Sequence, residues 1–186
     1  MKKVIVLSVR PQWLVKIING EKTIEIRKSI PKNIELPCEV YLLCSKAEPY
    51  LTKIYGEYLL TKYTCDKSPD GNVEMMNGKI VAKFTLNKMN RIWQRQMLYD
   101  DFEHFYSTDD ERISEKACMT DDDIEKYFGG YNKNGYAWHI DDLVIFDKPM
   151  ELREFYQIDV YRNEFEEQFK RINKSPQSWC YAYIEE

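Results

Sequence analysis

The sequence predicts an α+β fold, a small mixed β-barrel with flanking helices. Three observations predict it. Short apolar or alternating runs recur from Val4 to Ile184, each bounded by turn residues. Helical periodicity is confined to brief stretches between them. The segment Asn19-Gly20-Glu21-Lys22-Thr23-Ile24-Glu25-Ile26-Arg27 changes from one period to the other within a single turn. The chain of 186 residues contains no internal repeat, low-complexity tract or linker, so one domain over 1–186 is expected.

Val4 to Val9 is a short β-rich run and reads as the opening strand. Pro11 suits the first turn of a helix, where its missing N–H is no loss, although Arg10 is a poor cap. Trp13, Leu14, Ile17 and Ile18 share one face of that helix and are expected in the core. Gly20 ends it, because the residue after a helix commonly needs a positive φ. Alternation then puts Ile24 and Ile26 on one strand face and Thr23, Glu25 and Arg27 on the other.

Ser29 to Pro37 is a connection, and Glu39 to Ser45 is a strand apolar enough to be covered on both faces. Lys46 follows it. Ser68-Pro69-Asp70-Gly71-Asn72 marks a turn inside 50–76, a region otherwise without clear period. Lys79 to Leu86 is expected as a strand with Ile80, Ala82, Phe84 and Leu86 on one face. Met89 to Cys118 shows no period, and Asp109-Asp110-Glu111 reads as a solvated loop. Thr120 caps a helix from Asp121, with Asp123 answering the cap and Gly129-Gly130 stopping it. Tyr136 to Ile140 and Leu143 to Phe146 are strands, and Lys148-Pro149 breaks the second. Met150 to Phe155 forms a helical turn, Tyr161 to Lys174 a charged helix, and Ser178 to Ile184 the last strand.

Composition bounds the function. Twenty-seven Lys and Arg stand against 31 Asp and Glu, a net charge of −4. Sequence-blind binding to long nucleic acid is driven by neutralising phosphates, so an acidic chain argues against it and leaves room only for a local basic pocket. Cys38, Cys44, Cys65, Cys118 and Cys180 are odd in number and lack C-x-x-C spacing, and His104 and His139 complete no zinc pattern. Reduced thiols in a cytoplasmic protein fit best, with no metal or cofactor. The N-terminal apolar run is far shorter than the ~20 residues of a membrane span, and no secretory signal is evident.

The polar face of the strand after Gly20 is the candidate site. Residues two apart on a strand face lie ~7 Å apart, a gap that Glu and Arg side chains close. Glu25 and Arg27 are therefore expected as a fixed pair, with Lys22 at the mouth of the turn and Lys46 as a second cation entering the pocket.

The order of elements, with Gly20-x-Lys22-x-x-Glu25-x-Arg27, Ser45-Lys46, Asn77-Gly78-Lys79, Gly135-Tyr136-Ala137-Trp138-His139 and Pro176-Gln177-Ser178-Trp179, resembles the ASCH domains of the PUA-like group. The likeness is strongest to forms carried by low-GC Gram-positive bacteria and their phages. It does not reach 50–76 or 156–174, which are expected as insertions. The resemblance implies a pseudo-barrel with a cleft beside the first helix and a role in binding RNA, a modified base or a nucleotide. It implies ligand contacts from Lys22, Thr23, Glu25, Arg27, Lys46, Trp138, Ser178 and Trp179. On this reading Arg27→Ala removes ligand binding and spares the fold.

Some relatives imply an enzyme instead. ASCH-like amidohydrolases that deacetylate acetylcytidine use a Lys in this turn, matched by Lys22, and a Thr three residues on, where this chain has Glu25. That hydroxyl nucleophile is absent. A ribonuclease would draw on Lys22, Glu25 and His139 as acid and base. A third reading is a phage-type regulator that binds a protein partner through its acidic stretches and the charged 161–174 segment.

Overall fold

The computed structural model describes residues 1–96, 103–109, 111–130, 133–159 and 168–185. The chain opens with β1 (Lys2–Val9), α1 (Pro11–Ile18), β2 (Ile24–Arg27) and β3 (Cys38–Cys44). A small three-stranded sheet follows, β4 (Tyr50–Ile54), β5 (Glu57–Thr61) and β6 (Val73–Met75), with β4 in the middle. Next come β7 (Lys79–Leu86), β8 (Met89–Gln96), β9 (Glu103–Ser107), α2 (Ile113–Ala117) and α3 (Asp121–Phe128). The chain finishes with β10 (Gly135–His139), β11 (Asp141–Glu151), β12 (Tyr156–Asp159), β13 (Gln168–Arg171) and β14 (Trp179–Ile184).

These strands form three sheets, ordered β11-β7-β3-β1-β14-β12-β13, β2-β10-β8-β9 and β5-β4-β6. Among the described residues the architecture is mostly β, with three short α-helices and a 3-10 turn at Leu152–Glu154. Among the described residues no sheet closes on itself, so the pairing is that of open, packed sheets and not of a closed barrel.

The central strands explain the core. β1 pairs in parallel with β3 and antiparallel with β14. Ile5, Leu7 and Val9 of β1 pack with Val40, Leu42 and Cys44 of β3 on one face, under α1. Val4, Val6, Tyr41 and Leu43 pack on the other, against Leu152, Phe155 and Ile172. Both strands are therefore apolar at successive positions, the signature of a sheet covered twice. A third core lies between the four-stranded sheet and α2 and α3, built from Ile24, Ile26, Ala137, Ile92, Phe105 and Phe128.

Several expectations change. The alternation of β7 is broken: Leu42 opposes Ala82 and Leu43 opposes Ile80, which leaves Val81 as an extra residue. This bulge turns Ile80 into the second core while Val81, Ala82, Phe84 and Leu86 stay in the first. The aperiodic stretch after Met89 is the β8–β9 hairpin and α2, hidden because its polar positions are tied by side-chain bonds such as Gln94 to Glu125. Of the acidic loop, Asp109 is bonded by Lys88 and Asn90, and Asp110 lies outside the described residues. β11 runs through Lys148-Pro149, although its ladder with β7 is interrupted between Ile145 and Met150. The predicted 161–174 helix is not formed over its described part: Gln168–Arg171 pairs with β12, while 161–167 lie outside the described residues. There Phe169 packs edge-on against Tyr183, which a strand register supplies and a helix would not.

Candidate functional site

The site begins with the end of α1. Gly20, at φ 75°, follows the last helical residues. Its N–H bonds to Ile17 O, and the Glu21 N–H bonds back to Lys16 O, the two bonds of a Schellman stop. The Lys22 N–H also reaches Lys16 O, and the Thr23 N–H bonds to Lys116 O at the end of α2. These bonds fix the turn and aim Lys22 inward, where the residue is only 2% exposed.

β2 then presents its polar face to the same interior. Glu25 and Arg27 are each 6% exposed. Arg27 Nη2 lies 2.8 Å from Glu25 Oε1, and Lys22 Nζ lies 3.4 Å from Glu25 Oε2. The carboxylate thus stands between two cations. Lys22 Nζ also donates to Ala117 O at 2.7 Å and sits 5.6 Å from the centre of the Trp13 ring. Arg27 donates through Nη2 to Ser8 O at 2.8 Å and through Nη1 to Ser178 Oγ at 3.2 Å. Burial pushes the Lys22 ammonium below its ordinary pKa, the Glu25 charge offsets part of that shift, and Arg27 adds to it.

Trp13, Lys22, Glu25, Arg27, Tyr127 and Ser178 line one cavity of about 650 Å³ between α1, β2 and α3. Another cavity, of about 720 Å³, adjoins Lys2, Lys32 and Glu39, but its ion pair Lys2–Glu39 is far more exposed, at 45% and 23%. Only the first has fully buried charges in its wall. Ionised groups keep that degree of burial only when paired, because desolvation costs several kcal/mol per ion. The walls also hold polar atoms without a hydrogen-bond partner among the described residues: Gln12 Oε1, Arg27 Nε, Ser45 Oγ and Glu25 Oε2, the last held by the 3.4 Å ion pair. Each such atom carries a penalty of about 1–3 kcal/mol.

The fold brings Lys22, Glu25, Arg27 and Ser178 together and leaves the other predicted residues apart. Thr23 is exposed, and its backbone is taken by Lys116 and Ile140. Lys46 is exposed and lies across Gly78, where an added Cβ would meet its Cε at 3.1 Å. Trp138 is 0% exposed and packs in the first core, 5.9 Å from Trp179. Trp179 itself donates to Ser29 Oγ at 3.2 Å and does not line the cavity. His139 opposes Ile24 in the β10–β2 ladder while Trp138 opposes Glu25. Paired residues share a sheet face and neighbours alternate, so His139 is on the face away from Glu25. Burial and Lys88 lower its pKa, and it takes no place in the cavity.

Sequence reasoning missed two aromatic walls. Trp13 belongs to the apolar stripe of α1, yet it is half-buried and lines the cavity from the helix's first turn. Tyr127 follows the Thr120 cap by two turns, and burial raises its phenol pKa. Asn77, known from the sequence only as part of the Asn77-Gly78-Lys79 segment, also builds the site. Its amide donates to Ser45 O at 3.1 Å and Ala47 O at 2.9 Å and accepts from Leu51 N at 2.8 Å, which shapes the loop that carries Ser45. Among the described residues no group of three or more His, Cys, Asp or Glu could hold a metal ion, and no helix is long and apolar enough to cross a membrane.

Comparison with known proteins places this arrangement in a fold group. No protein-family model matches the chain, and no curated protein matches it in sequence. Solved structures do. The crystal structure of ASCH from Zymomonas mobilis superposes with a TM-score of 0.51 at 17% identity, covering 95% of this chain and 85% of that one. A tyrosine-to-phenylalanine mutant of the Zymomonas mobilis protein gives 0.53 at 17% identity over 97% and 90%. A serine-to-alanine mutant gives 0.50 at 16% over 95% and 86%. The likeness shows an ASCH-like fold.

Proposed function

We propose that this chain is a binding module for RNA, a modified base or a nucleotide, seated in the cleft between α1, β2 and α3. We read the larger sheets as walls of an opened PUA-type pseudo-barrel in one domain over 1–186, with 50–76 and 156–174 as additions to it. The observation that carries the reading is the Lys22–Glu25–Arg27 row, buried yet set in the wall of an open cavity. Replacing buried ions by apolar groups is often neutral or stabilising, so their retention points to a role beyond stability. Trp13 and Tyr127 offer aromatic surface to a base, and stacking of that kind contributes about 1–3 kcal/mol per base. Arg27, with its forks already committed to Glu25, Ser8 and Ser178, contributes charge more than new hydrogen bonds.

Calorimetric titration with nucleosides that include acetylcytidine, nucleoside monophosphates and short single-stranded RNAs tests this. At least one class is expected to bind, and Trp13→Ala is expected to weaken it at least tenfold. Absence of binding across the whole panel would refute the reading.

A second reading rests on the lowered pKa of Lys22, since an amine that sheds its proton more readily can act as a base. It makes the chain a hydrolase of RNA or of a nucleoside, with Lys22 and Glu25 at the reacting bond. Product formed from acetylcytidine or RNA, and lost in Lys22→Met, would establish it; intact substrate after incubation with micromolar protein would remove it.

A further inference from the structure

The charges that line the cavity are out of balance with the rest of the chain. Arg10, Lys22, Arg27 and Lys126 face only Glu25 and Asp123, a local surplus of two positive charges on a protein of net charge −4. Asp123 is turned toward the α3 cap, accepting from the Thr120 hydroxyl at 2.8 Å. Lys22 and Arg27 are buried and committed to protein partners. Arg10 and Lys126 differ from them. Both are exposed, and neither enters an ion pair or side-chain hydrogen bond among the described residues. Arg10 precedes α1 but makes no capping bond with its side chain. The position of Lys126 in the last turn of α3 suits the helix dipole, a small effect that leaves its ammonium free to bind.

Resting on the nucleotide-binding reading above, we infer that the ligand carries a phosphate, held at the cavity mouth by Arg10 and Lys126 while the base lies inside against Trp13 and Tyr127. The recognised unit is a nucleoside monophosphate, either free or as one residue of an RNA. A cavity of about 650 Å³ falls within the range of small-ligand sites and accommodates one such unit, not a duplex. Concave walls focus the surplus positive potential, so the phosphate both steers the ligand in and fixes which end stays outside. Guanidinium and ammonium bonds to phosphate are charge-assisted, and two of them amount to a ten- to hundredfold gain in affinity, as an order of magnitude.

The full-length chain is titrated with the four nucleosides, their monophosphates, inorganic phosphate and a short single-stranded RNA. Wild type is compared with the Arg10→Ala, Lys126→Ala double variant, which removes no bond seen in the fold. For whichever base binds, the monophosphate is expected to bind at least about tenfold more tightly than its nucleoside. The double variant is expected to erase that advantage and leave nucleoside affinity unchanged. A tighter RNA than monophosphate assigns the source as a chain, and the reverse assigns a free nucleotide; either supports the inference. A nucleoside that binds as well as its monophosphate, or a double variant that keeps the advantage, overturns it while the binding reading stands. Inorganic phosphate that binds as tightly as the monophosphates also overturns it, as a general anion site. Silence from every ligand overturns both.

Discussion

Trp138 stands directly opposite Glu25 in the β10–β2 ladder, and this pairing decides what each strand offers the cavity. It sets Trp138 on the same sheet face as Glu25, where the indole disappears into the core. It sends His139 to the far face with Ile24. A slip of one residue would exchange the two, since neighbouring side chains on a strand point to opposite faces. The motif Tyr136-Ala137-Trp138-His139 is therefore a framework for the site, and its tryptophan packs beside Glu25 on the same face.

The first prediction concerns Glu25. Glu25→Gln leaves Lys22 and Arg27 as buried cations without their shared counter-charge. Loss of one partner from a buried ion group costs about 3–5 kcal/mol. Lys22→Met keeps the Glu25–Arg27 pair and is expected to cost less. Urea denaturation of the two variants gives the ranking, and a Glu25→Gln midpoint above that of Lys22→Met contradicts the paired arrangement.

Arg27→Ala is expected to unsettle the fold as well as the proposed ligand site. The side chain ties β2 to Ser8 O and to Ser178 Oγ and is 94% removed from solvent, being 6% exposed. The sequence alone suggested a substitution that spares stability; burial replaces that expectation with a loss of several kcal/mol. A melting curve within 2 °C of wild type would show that the contacts to Ser8, Ser178 and Glu25 carry no weight.

Two lowered pKa values set opposite ends of the pH profile. Lys22 has its pKa below the ordinary 10.5 when folded, so between the two values the unfolded chain binds more protons. Stability contributed by this group therefore rises with pH up to about 10.5, from the folded value upward. His139 is held below 6.5, so the same rule makes stability fall as pH drops from 6.5 through the folded value. Subtracting denaturation curves of Lys22→Met and His139→Gln from wild type isolates each. A difference curve that slopes the other way, or is flat in its window, disproves the corresponding burial.

Gly135 admits no side chain. A Cβ there would come 2.2 Å from both Cε1 and Cζ of Phe128 and 2.9 Å from Arg27 O. Gly135→Ala must push the ring, the α3 helix behind it or the β2 backbone, and overpacking of this kind costs about 1–3 kcal/mol or more. Thr120→Ala provides a milder test of the same helix, since its hydroxyl accepts the Asp123 N–H at 3.1 Å and such caps contribute about 1 kcal/mol. Chemical denaturation should rank Gly135→Ala as the more damaging.

Much of this was legible in the chain. The Pro11 start, the Gly20 stop and the Glu25–Arg27 pair follow from local stereochemistry, which needs no knowledge of distant residues. The Thr120 cap with Asp123 is equally local. What stayed hidden depends on contacts far along the chain. Lys22 is held inside by the carbonyl of Ala117, ninety-five residues away, which accepts a hydrogen bond from its ammonium. Trp13 and Tyr127 line one cavity only because the fold brings α1 and α3 to it from distant parts of the chain. Lys46 has the right charge and lies near Ser45, but Gly78 draws its stem aside. The β13 strand was masked by a charged sequence that fits a solvated helix equally well, and only pairing with β12 selects the extended form.

Arg27 begins in the four-stranded sheet and ends on Ser8 of the seven-stranded one, so it staples two layers together. A cation in that position is poorly suited to trading partners with each arriving molecule. On the binding reading proposed above, discrimination falls to groups at the cavity's edge, whose movement costs the scaffold nothing. Variation in what such a protein selects would be written in its rim, while the arginine beneath stays bound to its architectural duty.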